Sequence, residues 1–144
     1  MIEKRTLGLE EARIIVEAML EAATKKPGGP SSFAVVDNSG IPIYLARMDG
    51  ASPLTVRVAI NKAYSAIDTQ WDTKDMFARI QKLSEIEKVP RDIGWWGEPR
   101  LSAIPGGVLV KSSDGSIVGA VGTSGRTADE DEELARIGAS AVNV

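Results

Sequence analysis

From Leu9 the apolar positions Leu9, Ala12, Val16, Met19, Leu20 and Ala23 recur at helical spacing, with Glu10 and Glu11 in the first turn where the helix dipole favours negative charge. The spacing predicts a helix from Leu9 to about Lys26, stopped by Pro27-Gly28-Gly29-Pro30. Ser32 to Asp37 and Pro42 to Met48 then read as two strands joined by the turn Asn38-Ser39-Gly40. A second helix is predicted over Leu54 to Ile67, with Val56, Ala59, Ile60, Ala63 and Ile67 inward. A third is predicted over Thr73 to Leu83, with Thr73 as N-cap and Met76, Phe77, Ile80 and Leu83 inward. Val89 to Pro105 has no period and reads as a long ordered loop around Trp95-Trp96. Gly107 to Lys111 and Ser116 to Thr123 form a second hairpin about Asp114-Gly115. Thr127 with Glu130 three residues on marks the start of a last helix, running toward Val142 with Leu134, Ile137 and Ala141 inward. This order of elements predicts an α+β fold, an antiparallel sheet covered by helices, rather than a βαβ repeat.

Composition narrows the chemistry. At 144 residues and 43% hydrophobic content, one core and a single domain over residues 1–144 are expected. The chain has no cysteine and no histidine, which removes the best ligands of zinc, copper, iron–sulfur and histidine-bound haem sites. No metal is assigned and the cofactor stays unknown. A net charge of −3 with scattered Lys and Arg gives no basic stripe, so nucleic acid is not expected as a partner. Without a signal-peptide pattern or a spanning apolar run, no membrane association and a cytoplasmic location are expected.

The remaining candidates are carboxylates, cations, hydroxyls and glycines. Arg47 and Asp49 stand at a strand end, where an arginine can clamp a carboxylate in bidentate fashion, or can pair structurally with Asp49 or Asp37. Lys62 can hold an anion or, desolvated, act as a base, and the plainer alternative is a solvated surface lysine. In the functional reading, Lys62→Met lowers ligand affinity and leaves the melting temperature almost unchanged. Tyr64 can serve as an acid or hydrogen-bond donor, or lie along the core. Gly106, Gly107 and the run Gly119 to Gly125 can form an anion nest or simply permit close packing. Ser124 has no histidine to activate it, leaving only a Ser-Lys variant as a nucleophile. Trp95 and Trp96 can wall a planar ligand, anchor a second subunit, or pin the loop to the core. The acidic run Asp129 to Glu133 can bind a hard cation, and its place in a first helical turn also accounts for it.

Five segments taken in order carry a resemblance: Ala34-Val35-Val36-Asp37 with Gly40; Arg47-Met48-Asp49-Gly50-Ala51; Ala59 with Lys62-Ala63; Ile104-Pro105-Gly106-Gly107; and Gly119-Ala120-Val121-Gly122-Thr123-Ser124-Gly125. With Leu7, Leu9, Glu10 and Ala12 ahead of them, they resemble the GlcG/HbpS family, which also includes the C-terminal domain of PduO-type proteins. The resemblance implies a profilin-like fold with helices on both sides of the sheet, and homo-oligomers. It also implies a function connected with haem, or with glycolate and corrinoid metabolism. Histidine-ligated haem does not carry over to a chain without histidine. The expected function is small-molecule binding in a homo-oligomer, the ligand a tetrapyrrole or a small anionic metabolite. Lys62, Asp49 and Tyr64 are the candidate reactive groups, and Arg47, Gly106, Gly107, Ser124, Trp95 and Trp96 the candidate ligand contacts. The rival is a lyase, isomerase or hydrolase acting on a small anion; a third reading is a structural or regulatory oligomer without a ligand.

Overall fold

The structure is a computed structural model and describes all 144 residues. Helix α1 (Leu9–Lys25) opens where the Glu11 carboxylate accepts the Gly8 N–H at 2.9 Å, and it buries Ala12, Ile15, Val16, Met19 and Ala23. Strands β1 (Ser32–Asp37) and β2 (Pro42–Arg47) follow. The Asp37 carboxylate closes their hairpin by accepting the N–H groups of Ser39 and Ile41, and Gly40 supplies the φ of 80° that a side chain would resist. Helix α2 (Pro53–Thr69) and helix α3 (Thr73–Glu87) come next, then a 3-10 helix (Ile93–Trp96). Strands β3 (Gly107–Lys111) and β4 (Ile117–Ser124) and helix α4 (Ala128–Ala139) complete the chain.

The sheet is antiparallel throughout, in the order β2-β1-β4-β3. Helices α1 and α4 cover one face and α2 the other, giving three layers. Phe33 and Val35 of β1, Val108 and Val110 of β3 and Val121 of β4 meet Met19, Ile15 and Leu134 in the larger core. Val36, Ala120 and Leu109 meet Ala63 and Ala66 of α2 in the smaller one. The α2 side is thin for a local reason. Ala34, Gly122 and Gly107 lie side by side across three strands, and a Cβ on Gly122 would collide with the carbonyl oxygen of Ala59.

The last helix stops at Ala139, short of Val142, and its inward positions are Asp131, Glu132, Leu134, Ala135 and Gly138. Helix α3 departs more from its sequence pattern. It continues to Glu87, its N-cap is Asp72, and only Thr73 and Met76 are buried along it. Phe77 and Leu83 remain exposed because the helix runs away from the edge of β3 with no layer above it. Thr73 is buried because its hydroxyl accepts the outward N–H of Gly107 at 2.9 Å, and Asp72 takes the outward N–H of Leu109 at 2.9 Å. The edge strand β3 is therefore sealed by side chains from the start of α3.

Candidate functional site

The antiparallel register brings the end of β2, the start of β1, the end of β4 and the start of β3 to one end of the sheet. Arg47 pairs with Ser32, and Ser32 with Ser124, so the three residues form one row across three strands. Facing pairs project to the same side of a sheet, and Ser32 projects toward α2, its hydroxyl 2.8 Å from that of Thr55. The row lies under the first turn of α2. That turn carries no acidic residue, has Pro53 in its first positions, and its N-cap Ser52 makes no side-chain capping bond. The positive end of the helix dipole is thus left without an internal counter-charge. Arg47 is exposed and Ser124 half-buried, and neither side chain has a hydrogen-bond or ion-pair partner within the chain. The structural pairing of Arg47 with Asp49 or Asp37 is not made: Asp49 is exposed in the turn before α2, and Asp37 caps its own hairpin.

Lys62 lies at the same end but is sealed, with 2% of its side chain exposed. Its Nζ donates to the Thr123 carbonyl at 2.9 Å and to Asp131 Oδ2 at 3.0 Å. Because α2 and α4 cover opposite faces, this ion pair passes around the end of the sheet and clips the two helical layers together. The route needs glycine. Gly106 has φ of 125°, and a Cβ there would stand 2.9 Å from Lys62 Nζ and 2.8 Å from the Thr123 oxygen. The N–H of Gly106 donates to Glu132 Oε2 at 3.1 Å and that of Gly107 to Thr73. Both amide groups imagined as an anion nest are occupied inside the protein.

The acidic run is likewise engaged. Asp131 takes Lys62 on one oxygen and the Arg126 N–H at 3.1 Å on the other. Burial pushes its carboxyl above the usual aspartate range, against the pull of the Lys62 ammonium and the Arg126 amide. Glu132 Oε1 lies 2.7 Å from the Arg136 guanidinium yet makes no aligned hydrogen bond with it, and Arg136 reaches Asp72 at 3.1 Å. Neither Asp131 nor Glu132 was distinguishable from its acidic neighbours by composition. The signal that finds them is their period, since both precede Leu134, Ala135 and Gly138 on the inward face.

Tyr64 lies elsewhere. Its hydroxyl donates to Glu98 at 3.0 Å and accepts from Arg100 at 2.9 Å, and the Arg100 guanidinium sits 3.9 Å above its ring. Burial and the bond to Glu98 raise the phenol above its ordinary value. Hydrogen bonds from Arg100 hold the Glu98 carboxyl well down, at about 2. The cluster straps residues 98–102 onto α2, helped by the Ser102 N–H donating to Ser65 at 2.7 Å. A carboxyl depressed in the folded state contributes stability above its unfolded value and loses it as pH falls through the folded one. The strap is therefore expected to hold through the ordinary carboxylate range and to release near pH 2. The emission of Trp95 and Trp96, just ahead of Glu98, reports it; a change centred at an unperturbed glutamate value would contradict the geometry.

Trp95 and Trp96 fold back along α3 beside Ile80, Leu83 and Ile93 and stay largely exposed. They do not pin the loop to the core. Of the residues singled out from sequence, the sheet end gathers Arg47, Asp49, Ser124, Lys62, Gly106 and Gly107; Tyr64 and the tryptophans belong to the α2 strap and the α3 arm.

A four-stranded antiparallel sheet between helical layers, of the profilin-like α/β/α kind, defines the class. Residues 7–140 match the family model described as haem degrading protein HbpS-like, and the chain belongs to the HbpS-like family. It is 29% identical over 130 residues to an uncharacterized 15.0 kDa protein from the dhaT-dhaS intergenic region of Citrobacter freundii, covering 90% of this chain and 87% of that one. The crystal structure of Klebsiella pneumoniae protein ORFY superimposes with a TM-score of 0.85 at 26% identity, covering 98% of this chain and 93% of that one. A double mutant of Streptomyces reticuli HbpS gives 0.82 at 28% identity, covering 100% and 92%.

Proposed function

We propose that the protein binds a small carboxylate-bearing molecule at the Arg47 end of the sheet, and that it does so as a cytoplasmic homo-oligomer. The observation that carries this reading is the row Arg47, Ser32, Ser124 beneath an acid-free helix N-terminus, with the Arg47 and Ser124 side chains free of partners. A guanidinium grips a carboxylate through two parallel hydrogen bonds, and the Ser124 hydroxyl in the same row can accept or donate as the ligand requires, while that of Ser32 is buried against Thr55. Asp49, exposed next to the row, can accept a hydrogen bond from a hydroxyl or amine on the same ligand.

The HbpS-like description supports a tetrapyrrole as one such ligand, since its carboxylates suit Arg47. The residues present do not build a resident haem centre. There is no histidine or cysteine, and the Tyr64 hydroxyl is held between Glu98 and Arg100 with its phenol raised away from the phenolate. A bound tetrapyrrole is therefore recognised through its carboxylates and ring face. Binding is favoured over turnover because two of the reactive groups are engaged: Lys62 with Asp131, Tyr64 with Glu98.

Calorimetric titration with haemin, and separately with succinate as a carboxylate without a ring, tests the reading. Replacing Arg47 by Met is expected to weaken whichever binds by about tenfold, the worth of one charge-assisted bond at an exposed site, with no change in melting temperature. The haemin complex is expected to lack a low-spin bis-imidazole spectrum. If neither compound binds, or if Arg47→Met and Ser124→Ala leave binding untouched, the row is not the site.

A further inference from the structure

Helix α3 and the segment folded back along it form an arm with more exposed apolar surface than its own contacts explain. Trp95 is 64% exposed, Trp96 45%, Phe77 44%, Leu83 40%, Ile86 66% and Val89 48%. Together these side chains leave on the order of 600 Å² of apolar surface in water, close to the roughly 800 Å² that one partner contributes to a stable interface. A helix of 15 residues that buries only Thr73 and Met76 is weakly held, because helices in water depend on packing of their apolar face.

We infer that this arm is where a second copy of the chain docks, the two arms packing about a two-fold axis. The inference rests on the self-association proposed above and names its surface. The arm carries both halves of a self-complementary contact. On one flank of α3 the exposed indoles of Trp95 and Trp96 stand beside Leu83. Adjoining them across Ile80 and Ile93 is an open groove of about 430 Å³, lined by Phe77, Pro90 and Ala103 with Gln81, Arg91 and Asp92 at its polar side, with room for an indole. A two-fold contact needs such a knob and hole on one molecule, so that each copy fills the other. Tryptophan at the centre of a patch is the typical anchor. A lipid surface is the poorer occupant. Arg79, Lys82, Lys88 and Arg91 alternate with Glu85, Glu87 and Asp92, without the cationic face of an interfacial helix.

The test uses the full chain. Sedimentation equilibrium at tens of micromolar is expected to give a dimer or a multiple of it, and dilution is expected to shift tryptophan emission to the red as Trp95 and Trp96 return to water. The doubly changed Trp95→Ser, Trp96→Ser protein is expected to lose at least tenfold in association, as is the independent variant Leu83→Lys, Ile86→Lys on the exposed flank. Circular dichroism must show both folded. Two single-cysteine variants give a readout free of other thiols, because the chain has none. Phe77→Cys mixed with Trp95→Cys is expected to link through a short bismaleimide, each thiol adding to one maleimide. A monomer at tens of micromolar overturns both the self-association and this surface. An oligomer unchanged by both multiple variants, and without the mixed cross-link, overturns the arm as interface and leaves self-association standing. Ligand titration at Arg47 reads out separately from either result.

Discussion

Lys62→Met is expected to destabilise the protein by about 3–5 kcal/mol, the cost of leaving one member of a buried ion pair without its partner. For a chain of 144 residues that lowers the melting temperature by roughly 10–15 °C. The sequence alone predicts the opposite, lost affinity at constant stability. The structure reverses it because Nζ is enclosed between Thr123 and Asp131. Methionine retains the stem but gives Asp131 no ammonium, leaving a buried carboxylate with the Arg126 amide alone on its other oxygen. Adding Asp131→Leu to Lys62→Met is expected to restore most of the loss, since an apolar pair of similar volume replaces a buried ion pair at little cost. Denaturant unfolding of the single and double variants checks this; a single variant within about 1 kcal/mol of the parent would mean that the pair contributes little.

The pH dependence has a definite sign. The Asp131 carboxyl titrates above its unfolded value of 3.8, so the folded state holds that proton more tightly. Its contribution favours folding below the unfolded value and is lost as pH rises through the folded one. Removing the Lys62 ammonium takes away the main influence that lowers Asp131, so the deficit of Lys62→Met is expected to shrink as the solution is acidified through that window.

The second large effect is expected at Gly122. Gly122→Ala places a methyl group against the Ala59 carbonyl of α2, a contact that only movement of backbone can relieve. A loss of about 3 kcal/mol is expected, at the upper end of ordinary overpacking. Lifting α2 also draws the first turn away from Ser32 and Ser124, so ligand affinity is expected to fall along with stability. Ala34→Gly, the neighbour on β1, removes a methyl without a clash and is expected to cost about 1 kcal/mol. If Gly122→Ala melts with the parent protein, the close seat of α2 is not rigid.

Both sites illustrate what local pattern conveys. The α1 stripe, the Asn38-Ser39-Gly40 and Asp114-Gly115 turns and the Thr127 cap lie within a few residues of the structure they specify, and the elements appear where they predict, although Leu9 and Leu20 of the stripe stay exposed and Ile15 is buried beside Ala12 and Met19. The partner of Lys62 is 69 residues away, inside an acidic run that already has an adequate local explanation. Arg47 and Ser124 meet because β1 lies between β2 and β4, and strand order is a global property that no short window contains. The stripe Phe77, Ile80, Leu83 states that a face of α3 seeks cover without saying which chain supplies it.

The sealed edge of β3 limits how folded molecules can join. A fibre that grows by adding strands needs two different open edges, so that each newcomer leaves one exposed for the next. Here one border of the sheet is closed by Thr73 and Asp72, and the other is β2. Strand-to-strand joining can engage β2 with β2 alone, and such a meeting uses up both open borders at once. Polymerisation through the sheet ends after a single step, so the native protein is expected to stay clear of amyloid-type growth at concentrations where a variant with an uncapped β3, such as Asp72→Ala with Thr73→Val, begins to seed it.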